Sequence, residues 1–280
     1  MAAAANGDGP ITVVFILSTR RAGSTWLNNV LGSHSWATSL GEYCRPFFDR
    51  AHVACRLCEA DGLDRCTVLH GIEHVPRGEA FHFAAARTGH RVLVDASKRL
   101  DWSADFIGRP DLDVRLLHLV RHPCGYVESE MRRSPEALPD ALVDEWDRTN
   151  RDIARFIESS GRLTLSASYE ALAAEPGRYF PPICEWLGGA YEPRALAYWA
   201  SPNHGLGANG ASSLYLRGRP NKQYITGDDA YYDALFDARR TGVDERWRER
   251  LPPEFCRRVV ASPRVSQIMH RLGVPDWVAH

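Results

Sequence analysis

The chain has 280 residues, with 34 basic and 35 acidic side chains and a formal charge of −1, so no global positive field gathers nucleic acid or an anionic membrane. Its longest apolar runs, such as VVFIL, fall far short of the roughly 20 residues that cross a bilayer, which excludes membrane insertion by a helix. The length suits one large α/β domain with a sizeable core, and any anion site must be local.

The opening MAAAANGDGP lacks the charged start and long apolar segment of a signal peptide. It reads as a disordered leader (1–10), with a single domain over 11–275 and a cytoplasmic protein expected. ITVVFIL (11–17) is short, β-branched and apolar on every residue, as in a central parallel strand covered on both faces. STRRAGST follows, and then TWLNNVLG, whose Trp26, Leu27, Val30 and Leu31 form one helical face with Gly32 as a stop. Between 44 and 66 lies an insertion carrying Cys44, Cys55, Cys58 and Cys66, with one C-x-x-C pair. A structural zinc held by these four, a disulfide and free thiols all remain open. The other three cysteines, Cys124, Cys184 and Cys256, read as small core residues.

RVLVDASKR and DVRLLHLVRHP are further apolar runs that end in polar residues, the second leading into a helical CGYVESEMRR. Apolar residues at helical spacing between 138 and 157 predict a long amphipathic helix. RLTLSAS is one more strand, and YEALAAEPGRYFPPICEWLGG reads as two short helices broken at prolines. A covering loop (about 203–242) rich in Gly, Asn, Ser, Arg and Tyr precedes a tail of short helices. The fold class is therefore α/β, a mainly parallel central sheet flanked by helices with a more irregular helical C-terminal part. In such a sheet the ligand crevice lies beyond the carboxyl ends of the strands, so STRRAGST, DASKR and RHPCGYVES can converge on one site.

The first of these loops is no ATP-binding P-loop, because Gly23 is followed by Ser24 where a lysine is required, and no G-x-G-x-x-G is present. It still suits an anion. Gly23 allows close backbone approach, the amides of Gly23, Ser24, Thr25 and Trp26 open a helix, and Arg20 or Arg21 supplies charge. Alone, this loop is equally a capped helix with exposed arginines. In the third tail Arg121 stands at a strand end and Ser129 about two helical turns beyond, so guanidinium and hydroxyl can grip one phosphate together.

With both motifs in order, the chain resembles the sulfotransferases that use 3′-phosphoadenosine 5′-phosphosulfate (PAPS), which have a P-loop NTPase-like fold. RRAGSTWL is similar to their 5′-phosphosulfate loop and LLHLVRHPCGYVESEMRR to their 3′-phosphate motif, while RVLVDASKR, SYEALAAEPGRYFPPICEWLG and DERWRERL resemble further family segments. The resemblance implies that Arg20, Arg21, Ala22, Gly23, Ser24, Thr25 and Trp26 cradle the 5′ end, that Arg121 and Ser129 hold the 3′-phosphate, and that Tyr169 lies near the adenine. It further implies Glu42 as general base, and Arg21 and Lys98 as stabilisers of the moving sulfuryl group. The family's His…Gly-Asn-Pro-x-Arg pattern is imperfect in HGLGANGASS, and Arg217 or Arg219 is the expected substitute for its arginine.

The function read from this is transfer of a sulfuryl group from PAPS, leaving 3′-phosphoadenosine 5′-phosphate (PAP), to a hydroxyl of a small-molecule, glycan or glycolipid acceptor. Burial is expected to raise the Glu42 carboxyl above its reference pKa of about 4.3. His34, His118 and His122 are reserve bases, and aromatic residues between Trp36 and Phe83, with Tyr215, Tyr224, Tyr231 and Tyr232, are expected to line an acceptor pocket or form plain core. Two alternatives stand beside it: a nucleotide kinase-like phosphotransferase, with Asp95 as the acidic strand end for magnesium, and a non-catalytic binding protein that keeps the fold.

Overall fold

A computed structural model of the chain describes residues 9–48, 55–58, 66–207, 230–231, 233–234 and 242–272. Five parallel strands, β1 (Ile11–Leu17), β2 (Ala37–Gly41), β3 (Val92–Asp95), β4 (Leu112–Val120) and β5 (Leu163–Ser168), lie in the order β2-β3-β1-β4-β5. The sheet is thus the mainly parallel α/β arrangement expected, with β1 at its centre. Alternate β1 side chains feed opposite faces, as the two-residue period of a strand requires. Val13, Phe15 and Leu17 pack with Phe81, Trp102, Phe106 and Ile153 on one face, while Val14 and Ile16 meet Leu27, Val30, Leu31 and Phe180 on the other.

The first face is covered by α3 (Ala80–Thr88), α4 (Leu100–Ile107) and α6 (Pro139–Ser160), the second by α1 (Ser24–Leu31), α7 (Tyr169–Ala174) and α8 (Pro176–Trp186). The one-turn α2 (Arg45–Phe48) follows β2, and α5 (Pro123–Met131) follows β4. A third apolar cluster joins Val120, Tyr126, Val127 and Trp146 to α9 (Trp247–Arg250), α10 (Pro253–Ala261) and α11 (Pro263–Arg271), so the C-terminal helices are keyed to the end of β4. Cys124, Cys184 and Cys256 are buried as expected.

Two elements differ from the sequence reading. The polar ATSLG forms β2, an edge strand with too little apolar character to announce itself, and its register against β3 shifts between Ser39 and Gly41. The break in YEALAAEPGRYFPPICEW falls before Pro176, whereas Pro181 and Pro182 lie inside α8. Among the described residues no helix is long and apolar enough to cross a membrane. The leader and most of the covering loop fall outside the described residues.

Chain order reverses its direction of travel across the sheet at β1: the chain runs from β1 out to β2, returns to β3, and then crosses to β4 and β5. A crevice therefore opens between the carboxyl ends of β1 and β4, the usual ligand position in an open parallel sheet.

Candidate active site

At the end of β1 the chain enters α1 through Gly23, which is left-handed (φ 88°) and would drive a Cβ to 2.5 Å from Tyr169 Cδ2. Only glycine satisfies both conditions. No side chain caps α1 and its first turn holds no acidic residue, so the positive end of the helix dipole at Ser24 suits an anion. Ala22 is buried beneath the turn, and Trp26 packs edge-on against Tyr169 at 5.8 Å.

Arg121, buried at the end of β4, donates from Nη1 to the Arg21 carbonyl (2.9 Å), and its guanidinium lies 5.1 Å from the centre of the Tyr169 ring. Arg21 Nε in turn donates to Ser129 Oγ on α5 (3.1 Å). The two anion motifs of the sequence are thus bonded to each other across the β1/β4 crevice. Arg121 Nε and Thr19 Oγ1 are buried without a hydrogen-bond partner, so polar capacity here exceeds what the protein itself uses. A ligand bearing phosphate or sulfate groups fits this donor set.

Arg20 is drawn elsewhere. It pairs with Glu130 (2.9 Å) and Glu145 (3.0 Å), and Glu130 also lies 3.9 Å from Arg21 Nε. Arg217 and Arg219 lie outside the described residues. A basic group unforeseen in the sequence takes shape from Arg132 and Arg246 around Asp244, whose carboxylate meets Arg121 (3.1 Å), Arg246 (2.7 Å) and Arg132 (3.6 Å). Burial pushes the Asp244 carboxyl up, but Arg246, Arg121 and Arg132 outweigh it and hold the group well below the usual range. Arg132 sits one turn beyond Ser129 and donates to its hydroxyl (3.4 Å), a helical spacing legible in SEMRR.

Glu42 follows β2 and Lys98 follows β3, and they meet: Lys98 Nζ donates to Glu42 Oε1 (3.0 Å) and to the Ala96 carbonyl (2.6 Å). Arg45 holds the other carboxylate oxygen through Nη2 (2.5 Å) and Nε (2.7 Å). The expected rise in pKa is therefore reversed. Burial does push the Glu42 carboxyl up, but Lys98 and Arg45 together carry it below its ordinary value, so it is ionised at neutral pH. Arg21 (φ 61°) and Lys98 (φ 62°) are the non-glycine residues with left-handed backbone among those described. Each conformation costs about 1–2 kcal/mol, and such strain concentrates where a side chain must be aimed at a site.

The other titratable candidates are bonded within the protein, although His122 Nε2 is buried without a hydrogen-bond partner. Asp95 is fully buried, accepting from Ser97 N–H (2.6 Å) and Trp102 Nε1 (2.7 Å), and burial raises it to about 6. With one protein donor on each oxygen, it fixes the turn that carries Lys98. His118 bonds to Asn150 Oδ1 (3.0 Å), His122 Nδ1 accepts from Cys124 N–H (3.2 Å), and His34 Nδ1 lies against two α1 carbonyls. Burial depresses all three, His118 to about 4 and His122 to about 3. Tyr43, Phe47 and Phe81 prove to be core: Tyr43 donates to the Ala80 carbonyl (2.8 Å), and Phe47 stacks on Trp102 at 5.1 Å. Tyr215, Tyr224 and Tyr232 lie outside the described residues, and Tyr231 carries the Arg246 guanidinium 3.8 Å above its ring. Of the four clustered cysteines, Cys55, Cys58 and Cys66 come together, joined by His204; Cys44 stays outside, its amide bonded to Ser97 Oγ (3.0 Å).

A family model described as the sulfotransferase family matches residues 13–193, well over half of the chain. Among solved structures the chain is similar to the sulfotransferase domain of the Synechococcus PCC 7002 olefin synthase, at 21% identity and TM-score 0.55 over 98% of this chain and 99% of that one. It is also similar to the sulfotransferase domain of the curacin biosynthetic pathway, at 18% identity and TM-score 0.54 over 95% and 98%. At these identities the structural likeness carries the fold alone. No curated protein matches the chain. The family match over most of a chain built on this parallel sheet places it in the sulfotransferase family.

Proposed function

We propose that the protein transfers a sulfuryl group from PAPS to a hydroxyl of a small-molecule, glycan or glycolipid acceptor, with Glu42 as general base. The observation that carries this reading is the bonded chain Ser129–Arg21–Arg121 beside the uncapped start of α1. It offers two adjoining anion grips, as a nucleotide with phosphate at both ends of its ribose requires. When bound, the donor supplies the sulfuryl group and the phosphate that leaves with it. The α1 amides, Ser24, Thr25 and Arg21 hold the 5′ end, Arg121 and Ser129 the 3′-phosphate, and Tyr169 the adenine side.

Glu42 is ionised, so it can accept the acceptor hydroxyl's proton without first losing one of its own. Its weakness as a base comes from Lys98 and Arg45. Lys98 would be shared: were its ammonium to turn from Glu42 toward a bound sulfuryl group, Glu42 would become more basic. Sulfuryl transfer needs in-line positioning and charge stabilisation more than covalent help, which the strained, fixed placements of Arg21 and Lys98 supply. The kinase-like alternative is disfavoured by Asp95, whose carboxylate is buried and bonded to the protein at both oxygens.

Calorimetry and an acceptor screen test the reading together. PAP is expected to bind without magnesium, and labelled PAPS to sulfate at least one hydroxylated acceptor. ATP binding that requires magnesium, with no affinity for PAP, would replace it by the kinase-like alternative, and affinity for neither by a non-catalytic role.

A further inference from the structure

Cys55, Cys58, Cys66 and His204 come from three separate segments, yet their ligand atoms all lie within 4.8 Å of one another. The His204 Nδ1 stands 3.6, 3.5 and 3.4 Å from the Sγ of Cys55, Cys58 and Cys66. A zinc ion bonded to sulfur at about 2.3 Å and to imidazole nitrogen at about 2.0–2.1 Å, at the tetrahedral angle, separates those atoms by about 3.5 Å. The three separations therefore match edges of one tetrahedron. Cys55 and Cys66 are buried, and the remaining pair is half-buried, which suits a closed structural site without an open coordination position.

We infer that these four residues bind one structural zinc ion as a Cys3His site, with His204 in the place that the cysteine spacing alone assigned to Cys44. Three thiolates and one imidazole form a soft, tetrahedral donor set that selects zinc over magnesium or calcium. The ion joins Cys55 to a histidine 149 residues away. Its mechanical target is the chain beside His204. Leu206 donates to the Leu40 carbonyl (2.9 Å) and accepts from Glu42 N–H (2.6 Å), while Gly205 accepts from Arg56 N–H (3.0 Å). Leu206 thereby pairs with both Gly41 and Cys55, and the clip fastens the backbone of Glu42 from outside the sheet edge. Gly41, left-handed at φ 69°, lies so close that a Cβ would stand 2.3 Å from the Leu206 carbonyl. The metal site stands without the donor assignment; only its kinetic consequence rests on Glu42 as base.

The test is the metal content of the full-length protein, purified under reducing conditions and measured by mass spectrometry. About one zinc per chain is expected, and cobalt(II) exchanged into the site should give the intense thiolate charge-transfer and visible bands of tetrahedral coordination. H204A and C58S should each lower zinc affinity at least 10-fold, while Cys44→Ser retains one equivalent. PAP affinity in H204A should stay within about twofold as kcat falls. A wild-type protein without zinc, one holding iron with a cluster chromophore, or an intact mass showing a disulfide among the three cysteines would each overturn the proposal. So would zinc lost from Cys44→Ser and kept in H204A. Wild-type content and the cobalt spectrum decide the matter even where a variant fails to fold. Normal zinc loading with unchanged kcat in H204A would overturn both the ligand assignment and the link to Glu42, and sulfuryl transfer would stand.

Discussion

The two halves of the sheet's carboxyl end are built differently. On the β1/β4 side, Arg21, Gly23, Arg121 and Ser129 sit within two continuous stretches of sequence, each a strand end running into a helix. On the β2/β3 side, Glu42 and Lys98 come from separate strand ends, and the backbone of Glu42 is held by Leu206. On the first side each motif is local to one strand–turn–helix unit, and hydrogen bonds spanning 100 and 108 residues join the two. The second depends on long-range assembly, and its electrostatics follow from that assembly: Lys98 and Arg45 set the state of Glu42, and burial sets that of Asp95 in the opposite direction. The two sides should fail separately when disturbed.

The largest separation is expected from Glu42→Gln. Loss of a general base costs about 10²–10⁴-fold in turnover, while PAP affinity, which belongs to the other side, should stay within about twofold. Steady-state kinetics with saturating PAPS, paired with PAP calorimetry, reads both quantities. Undiminished turnover removes Glu42 from the mechanism, and lost PAP affinity shows that the two sides are not independent. Arg121→Ala should give the converse result. Removing a buried guanidinium that faces a phosphate costs about 2–5 kcal/mol of affinity, read as a rise in PAP Kd. Unchanged affinity would displace Arg121 from the nucleotide site.

Acid sets the two sides against each other. His118 and His122, on or just after β4, are held neutral in the fold with pKa values of about 4 and about 3, below the reference of about 6.5 of an unfolded histidine. The unfolded chain therefore takes up protons that the native state refuses, and stability falls as pH drops from about 6.5 through 4, by on the order of 3 kcal/mol for His118. Asp95 on β3 works the other way: raised to about 6, it favours the fold as pH falls from about 6 toward 4. H118Q keeps a donor for Asn150 and should flatten the acid loss in urea unfolding curves taken across that range. Curves that track wild type at every pH would show that His118 does not titrate as its burial dictates.

The same contrast explains how much could be read in advance. The continuous apolar runs gave β1, β3 and β4, and both anion motifs were visible because each lies in one stretch where a strand meets a helix. Glu42 was reached through family resemblance alone, since nothing around SLGEY signals a strand end. Its depressed pKa is not legible there, because Lys98 lies 56 residues away in sequence. His204 was missed as a partner of the cysteines for the same reason. Spacing rules count neighbours along the chain, and the fourth position of this tetrahedron is filled across the fold. Arg20, adjacent to Arg21 and equal in charge, is met by Glu130 and Glu145, which only the packing of α5 and α6 brings to it, and Glu130 also lies 3.9 Å from Arg21.

The smallest expected effect lies where the two kinds of assembly meet, at Asp244. Its carboxylate already engages Arg121, Arg246 and Arg132, so a phosphate arriving at Arg121 must share those cations with a negative group. Asp244→Asn removes that charge and keeps the side chain's shape. Two consequences have opposite signs. The free protein loses stability, because the arginines are left with less compensation in a buried setting. PAP affinity rises by about tenfold, or about 1.4 kcal/mol, because the ligand now supplies the missing negative charge. Thermal unfolding with and without saturating PAP separates the two: the variant should start lower in Tm and gain more from the ligand than wild type does. Were PAP binding to weaken along with the free protein's stability, Asp244 would be a support that aims Arg121, and the anion pocket would need its carboxylate in place.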